Sequence, residues 1–225
     1  MVRIRVLSQS RPTFERESAV LARGVAPVAG CDEVGRGPLA GPVVAAAVIL
    51  DPANIPDGID DSKKLDAARR EQLYAALVAC AEVGVALAPP ARIDRDDIRK
   101  ASLWALAAAV RALPRQPGHV LVDGRDLPIF ACEGTAIVKG DALCLSIAAA
   151  SIVAKVVRDR MMQGLDRLHP GYGFAAHKGY GTAAHRSALA ALGPCCHHRR
   201  SFAPIRLADA VAAPDEPTLL RVEAG

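Results

Sequence analysis

Two adjacent acids, Asp32 and Glu33, close an apolar run over residues 25–33, and the turn Gly35-Arg36-Gly37 follows at once. Successive side chains of a strand point to opposite faces, so one of the pair would face a core where a lone carboxylate is costly. A hard divalent cation relieves that cost, because carboxylate oxygens are its ligands and it neutralises acids that would otherwise repel. Asp123 ends a second apolar run, 119–122, and Asp141 closes the triplet Lys139-Gly140-Asp141. If the two runs are neighbouring strands, four carboxylates converge at one sheet edge. Each acid also has a plainer use on its own, Asp141 as a helix cap and Asp123-Gly124 as a turn. The glycines after Glu33 read GxGxxxG, ending at Gly41, and Pro38 interrupts them, so the dinucleotide-binding fingerprint fails on spacing and context. What they permit is close approach of backbone to a ligand, with Arg36 adding charge.

These residues need a scaffold, and the pattern supplies one. Residues 25–33 and 43–50 read as two strands joined by the glycine turn. Leu73, Leu77 and Cys80 repeat at helical spacing within 66–81, and 83–88 reads as a strand stopped by Pro89 and Pro90. Ile98, Leu103, Leu106 and Val110 predict one helix over 94–113. Short strands follow at 119–122 and 136–138, and Asp141 is placed to cap a helix over 142–168. Thr182 caps a last helix that Gly193-Pro194 ends. Strands and helices alternate without a repeat of 20 to 50 residues, which argues for one α/β domain.

Of the 225 residues, 51% are hydrophobic and 23% charged, which excludes disorder and collagen; only 4% are aromatic, so the core is built of short aliphatic side chains. The longest apolar stretches, 43–50 and 145–154, fall short of the roughly 20 residues a bilayer span needs. The N-terminus lacks a secretory apolar run, and a cytoplasmic location is expected. Cys31, Cys80, Cys132 and Cys144 sit in apolar runs and read as reduced thiols, while Cys195-Cys196-His197-His198 lacks zinc-motif spacing. The net charge of +4 is uneven: residues 151–206 hold nine Lys or Arg against two Asp, whereas 25–150 hold thirteen against sixteen acids. The late segment offers either a footprint for a polyanion or a solvated helix face.

The run CDEVGRGPLAGPVVAAAVIL resembles the opening signature of the ribonuclease HII family. DDSKKL (60–65), VDG (122–124), KGD (139–141), SIAAASIVAKVVRDR (146–160), HPGYGFAAHKGYGT (169–182) and HRRSF (198–202) resemble its later blocks in order. The resemblance implies a ribonuclease H-like fold, a mixed five-stranded sheet flanked by helices, over 25–206. Residues 1–24 are then an extension and 207–225 a tail expected to be flexible. It implies that Asp32, Glu33, Asp123 and Asp141 bind divalent metal, Mn2+ or Mg2+, and carry catalysis. Gly35, Arg36 and Gly37 match the loop reading the 2′-hydroxyl at an RNA to DNA junction. Tyr180 matches the tyrosine packed on the next deoxyribose, and Lys63 a phosphate contact. The implied substrates are RNA/DNA hybrids and duplex DNA containing single ribonucleotides, cut by two-metal-ion hydrolysis to 3′-hydroxyl and 5′-phosphate ends. With 31 residues before Asp32, the extra N-terminal domain of ribonuclease HIII is not expected. No sliding-clamp motif is seen, and a monomer is expected.

Overall fold

Residues 11–212 are described by the computed structural model; the first ten residues of the expected extension and residues 213–225 of the expected tail lie outside the described residues, while 207–212 of that tail continue a helix. Strands β1 (Val28–Val34), β2 (Val43–Ile49), β3 (Glu82–Ala88), β4 (His119–Asp123) and β5 (Glu133–Ile137) form one sheet in the order β3-β2-β1-β4-β5. β1, β2 and β3 pair antiparallel, whereas β1 pairs parallel with β4 and β4 with β5. The helices are α1 (Glu15–Leu21), α2 (Ala67–Cys80), α3 (Pro90–Asp96), α4 (Ile98–Arg111), α5 (Leu145–Leu168), α6 (Phe174–His177), α7 (Ala183–Leu192) and α8 (Ala203–Ala212). None among the described residues is long and apolar enough to cross a membrane.

β2, Val-Val-Ala-Ala-Ala-Val-Ile, is buried along its whole length because helices cover both faces. Val43, Ala45 and Ala47 join α4 residues such as Ala105 and Ala109 in one core, while Val44, Ala46 and Val48 join Leu73 and Leu77 of α2 and Ala149 and Ile152 of α5 in another. Small side chains let the helices lie close. At Gly30 on β1 a Cβ would overlap the backbone of Ser146 and Ile147, so the start of α5 rests directly on the strand that carries the acids.

Two expectations change. The helix expected over 94–113 is α3 and α4, because Asp97 takes a positive φ of 75° and its side chain caps the second helix through Lys100 N, at 2.8 Å. Asp141 is not the cap of α5: it sits in a 3-10 turn, Gly140–Ala142, and α5 begins only after Cys144. The free N–H groups of α5 are met by the N-terminal segment. Thr13 O accepts from Leu145 N at 3.1 Å, and the buried Glu17 Oε1 accepts from Ser146 N at 2.8 Å and Ser146 Oγ at 2.5 Å. Glu17→Ala would leave both donors buried without an acceptor, a loss of about 1–3 kcal/mol. Denaturant midpoints should therefore fall for Glu17→Ala and should not fall for Asp141→Asn.

Candidate active site

β1 and β4 run parallel side by side with Cys31 opposite Val122, so both strands deliver an acid at their C-terminal ends. The chain order of the strands reverses there, the place where open α/β sheets bind ligands. Asp32, Asp123 and Asp141 meet at this end, one carboxylate oxygen of each lying within 4.8 Å of the others. Gly140 N donates to Asp123 Oδ1 at 2.7 Å, which ties the Asp141 turn to β4. Strand alternation sends Glu33 to the face covered by α4, where it lines a cleft with Arg36, Ser102, Leu106 and Asp123 and accepts from Arg36 Nη1 at 3.1 Å. The structure thus brings three of the four expected acids together, and Glu33 stands apart beside Asp123.

The triad is short of positive charge. Burial first, then the negative charges of Glu33, Asp123 and Asp141, hold the Asp32 carboxyl well above the usual carboxylate range. Burial and Asp141 likewise raise Asp123, and burial raises Glu33 against the pull of Arg36. Lys63 is the cation in contact, its Nζ 2.9 Å from Asp141 Oδ2. Burial alone would lower the Lys63 pKa, but the hydrogen bond and charge of Asp141 raise it. Its loop is pinned from below by the buried contact Ser62 Oγ···Ser151 Oγ, 2.7 Å, onto α5, while Lys64 turns to Asp60 at 3.0 Å. Desolvated carboxylates that repel one another suit a divalent cation, which would replace this repulsion by attraction.

Beyond Glu33, Gly35 has φ 91° and Gly37 lies open, the nearest neighbour to a Cβ there being Tyr180 Cε1 at 3.8 Å. Tyr180 is 46% exposed, so an aromatic residue and a bare stretch of backbone sit side by side at the surface. Three acids, a glycine turn and an exposed tyrosine thus lie in succession at this surface. A sequence profile of ribonuclease HII matches residues 29–205. The chain is 67% identical to ribonuclease HII of Xanthobacter autotrophicus over 193 residues, 86% of this chain and 78% of that one.

The chain belongs to the ribonuclease HII family.

It is 62% identical to the Azorhizobium caulinodans ribonuclease HII over 94% of this chain and 81% of the relative. Ribonuclease H2 from Pyrococcus horikoshii OT3 superposes with a TM-score of 0.69 at 28% identity, over 82% of this chain and 97% of that one. The five-stranded mixed sheet with flanking helices is the ribonuclease H-like fold, and the enzyme is an endoribonuclease acting on the RNA of RNA/DNA hybrids.

Two sets of residues at this site leave no signal in the local sequence. The late basic segment reads either as a footprint for a polyanion or as a solvated helix face, yet Arg158 and Arg199 are fully buried. Arg199 donates to Gly35 O (2.5 Å), Arg36 O (2.8 Å) and Gly41 O (3.0 Å from Nε), and Arg158 to Pro42 O, Ala40 O and Lys178 O at 3.0–3.2 Å. Arg199 holds the glycine turn from beneath, and Arg158 the Ala40 to Pro42 segment that follows it. Burial and the charge of Arg158 push the Arg199 pKa down to about 9. No local pattern separates an inward arginine from an outward one on a basic segment.

The second set is a histidine relay. His198 Nδ1 accepts from Cys195 N at 2.9 Å, so the proton of neutral His198 is on Nε2 and is donated to His185 Nε2 at 3.0 Å. His185 then carries its proton on Nδ1 and donates to Tyr180 O at 3.0 Å. The backbone of Tyr180 is anchored through two buried neutral rings. Burial, then the neighbouring His185, lowers the His198 pKa from 6.5 to about 4. A proton then binds the unfolded chain first, so the stability His198 confers is complete above pH 6.5 and declines on acidification towards pH 4, by on the order of 3 kcal/mol. Denaturation in metal-free buffer over this range, wild type against His198→Gln, isolates the effect from carboxylates titrating alongside; equal slopes would remove His198 as its source.

Proposed function

We propose that this ribonuclease HII cuts on the 5′ side of a ribonucleotide, both in hybrids and at a single ribonucleotide within duplex DNA, with Asp32, Glu33, Asp123 and Asp141 holding two divalent ions, Mn2+ or Mg2+. The observation that carries the reading is the desolvated, mutually repelling triad beside an open glycine turn. When bound, such ions supply a hydroxide-like water at neutral pH and charge for the departing oxygen. The protein's own part is positional. Gly140 N fixes the rotamer of Asp123, and Arg36 fixes Glu33. Arg199 holds the backbone of Gly35 and Arg36, and Arg158 the Ala40 and Pro42 carbonyls behind it, so that the turn can meet a 2′-hydroxyl, the group that distinguishes ribose from deoxyribose. Lys63 exchanges Asp141 for a phosphate as substrate enters, and Tyr180 packs on the following sugar. Attack by water rather than by the 2′-hydroxyl leaves 3′-hydroxyl and 5′-phosphate ends.

Incubation of a duplex bearing one ribonucleotide, a full hybrid and an all-DNA duplex, with and without Mg2+ or Mn2+, tests this. One cut 5′ of the ribonucleotide, dependent on metal, is expected, with the all-DNA duplex intact. Comparable cleavage of the all-DNA duplex would favour a structure-selective DNA nuclease, and no cleavage with any metal a pure binder. Removing Lys63 should weaken binding to every substrate alike and reduce the salt slope by about 0.9, one phosphate's share. Lys64, turned to Asp60, should matter less.

A further inference from the structure

Away from the acids, His169, Cys196 and His197 bring two ring nitrogens and a sulfur within 4.8 Å of one another. His169 directly follows α5, whereas Cys196 and His197 lie between α7 and α8, so the fold and not local spacing makes this cluster. Their sequence neighbours turn elsewhere. Cys195 packs against the apolar cluster around Met162, and His198 belongs to the histidine relay. The run of four ligand-type residues is therefore split in two, which explains why motif spacing gives no signal.

We propose that His169, Cys196 and His197 form a binding site for a zinc-class cation, separate from the carboxylate centre. Imidazole nitrogen and thiolate sulfur are the donors such ions take, and three of them leave a fourth position for water. Mg2+, which prefers oxygen, does not compete for this set. Tetrahedral zinc holds its donors about 3.3–3.6 Å apart, so closing the cluster takes about 1 Å of side-chain movement. Cys196 is exposed and both histidines half-buried, which leaves room for that movement, and the two rings already meet edge-on with centroids 4.8 Å apart. Binding releases the thiol proton to solvent. The site also has a mechanical position: His197 O accepts from Gly41 N at 2.9 Å, and Arg199 N donates to Leu39 O at 2.9 Å. A cation tying this strip to the end of α5 braces the segment from which Arg199 grips the glycine turn.

The test uses the whole chain, reduced with a phosphine and held in excess Mg2+. On adding Co2+, a thiolate-to-cobalt charge-transfer band is expected in the wild type and in Asp123→Asn, whose carboxylate centre is impaired, and lost in Cys196→Ser. Zn2+ should displace the cobalt, and Cys196→Ser or His169→Ala should weaken zinc binding by more than about tenfold. The exposed position of Cys196 makes Cys196→Ser a folded variant, verified by unchanged Mg2+-supported cleavage. Absence of the band, its persistence in Cys196→Ser, its loss in Asp123→Asn, or unaltered zinc affinity in both ligand variants would overturn the site.

Discussion

Asp123→Asn is expected to lower cleavage by more than about 100-fold while hybrid binding holds or tightens, because loss of a direct metal ligand should exceed the 10- to 100-fold cost of disturbing its supporting partners. The carboxamide keeps the shape of the carboxylate, and its oxygen can still accept from Gly140 N, the 2.7 Å bond that ties the turn to β4. What disappears is one negative charge among groups already crowded with it. Asp32 is then less strained by repulsion, so thermal stability without metal should be equal to the wild type or higher. Single-turnover cleavage, anisotropy with a labelled hybrid and a melting curve together separate the two explanations for Asp123. A turn residue loses stability and keeps its rate; a metal ligand loses its rate and keeps stability. Near-normal turnover in the variant would remove Asp123 from the centre.

Asp32, Glu33 and Asp123 were legible in the sequence because they close apolar runs, where a charge without a purpose would be selected against by simple desolvation. Strand parity was legible too, and it is what parts Glu33 from Asp32. The cap of α5 was not, since Glu17 lies 129 residues from Ser146 and nothing in either local run points to the other. Asp141, next to a helical period, offered a local explanation that the fold does not use. The same holds for the split at Asp97: apolar spacing continues smoothly through 94–113, and only the positive φ of Asp97 shows that two helices share it. Buried Arg158 and Arg199 escape for a further reason. Their partners are carbonyl oxygens, which every residue possesses, so no partner side chain marks the pairing.

The glycine turn and Tyr180 should separate into three behaviours. At Gly35 a Cβ would overlap the Arg158 guanidinium, and the residue's φ of 91° disfavours any side chain, so Gly35→Ala should disturb the turn itself and cost stability as well as rate. At Gly37 the backbone φ is ordinary and, among the described residues, only Tyr180 lies within reach of a Cβ, so Gly37→Ala should fold normally. Its new methyl group projects into the space beside the tyrosine, where the proposed function puts the ribose, and cleavage of every ribonucleotide substrate should fall together. Tyr180→Ala removes an exposed ring whose backbone remains held by His185, so stability should scarcely change. If the ring packs on the sugar that follows the ribonucleotide, its loss should strike the single-ribonucleotide duplex hardest and leave residual activity on a long hybrid. Rates on the two substrates, measured side by side for all three variants, discriminate these roles. Equal loss on both substrates in Tyr180→Ala would reduce the tyrosine to a general contact, and a folded Gly37→Ala of full activity would mean that the reader of the 2′-hydroxyl lies elsewhere.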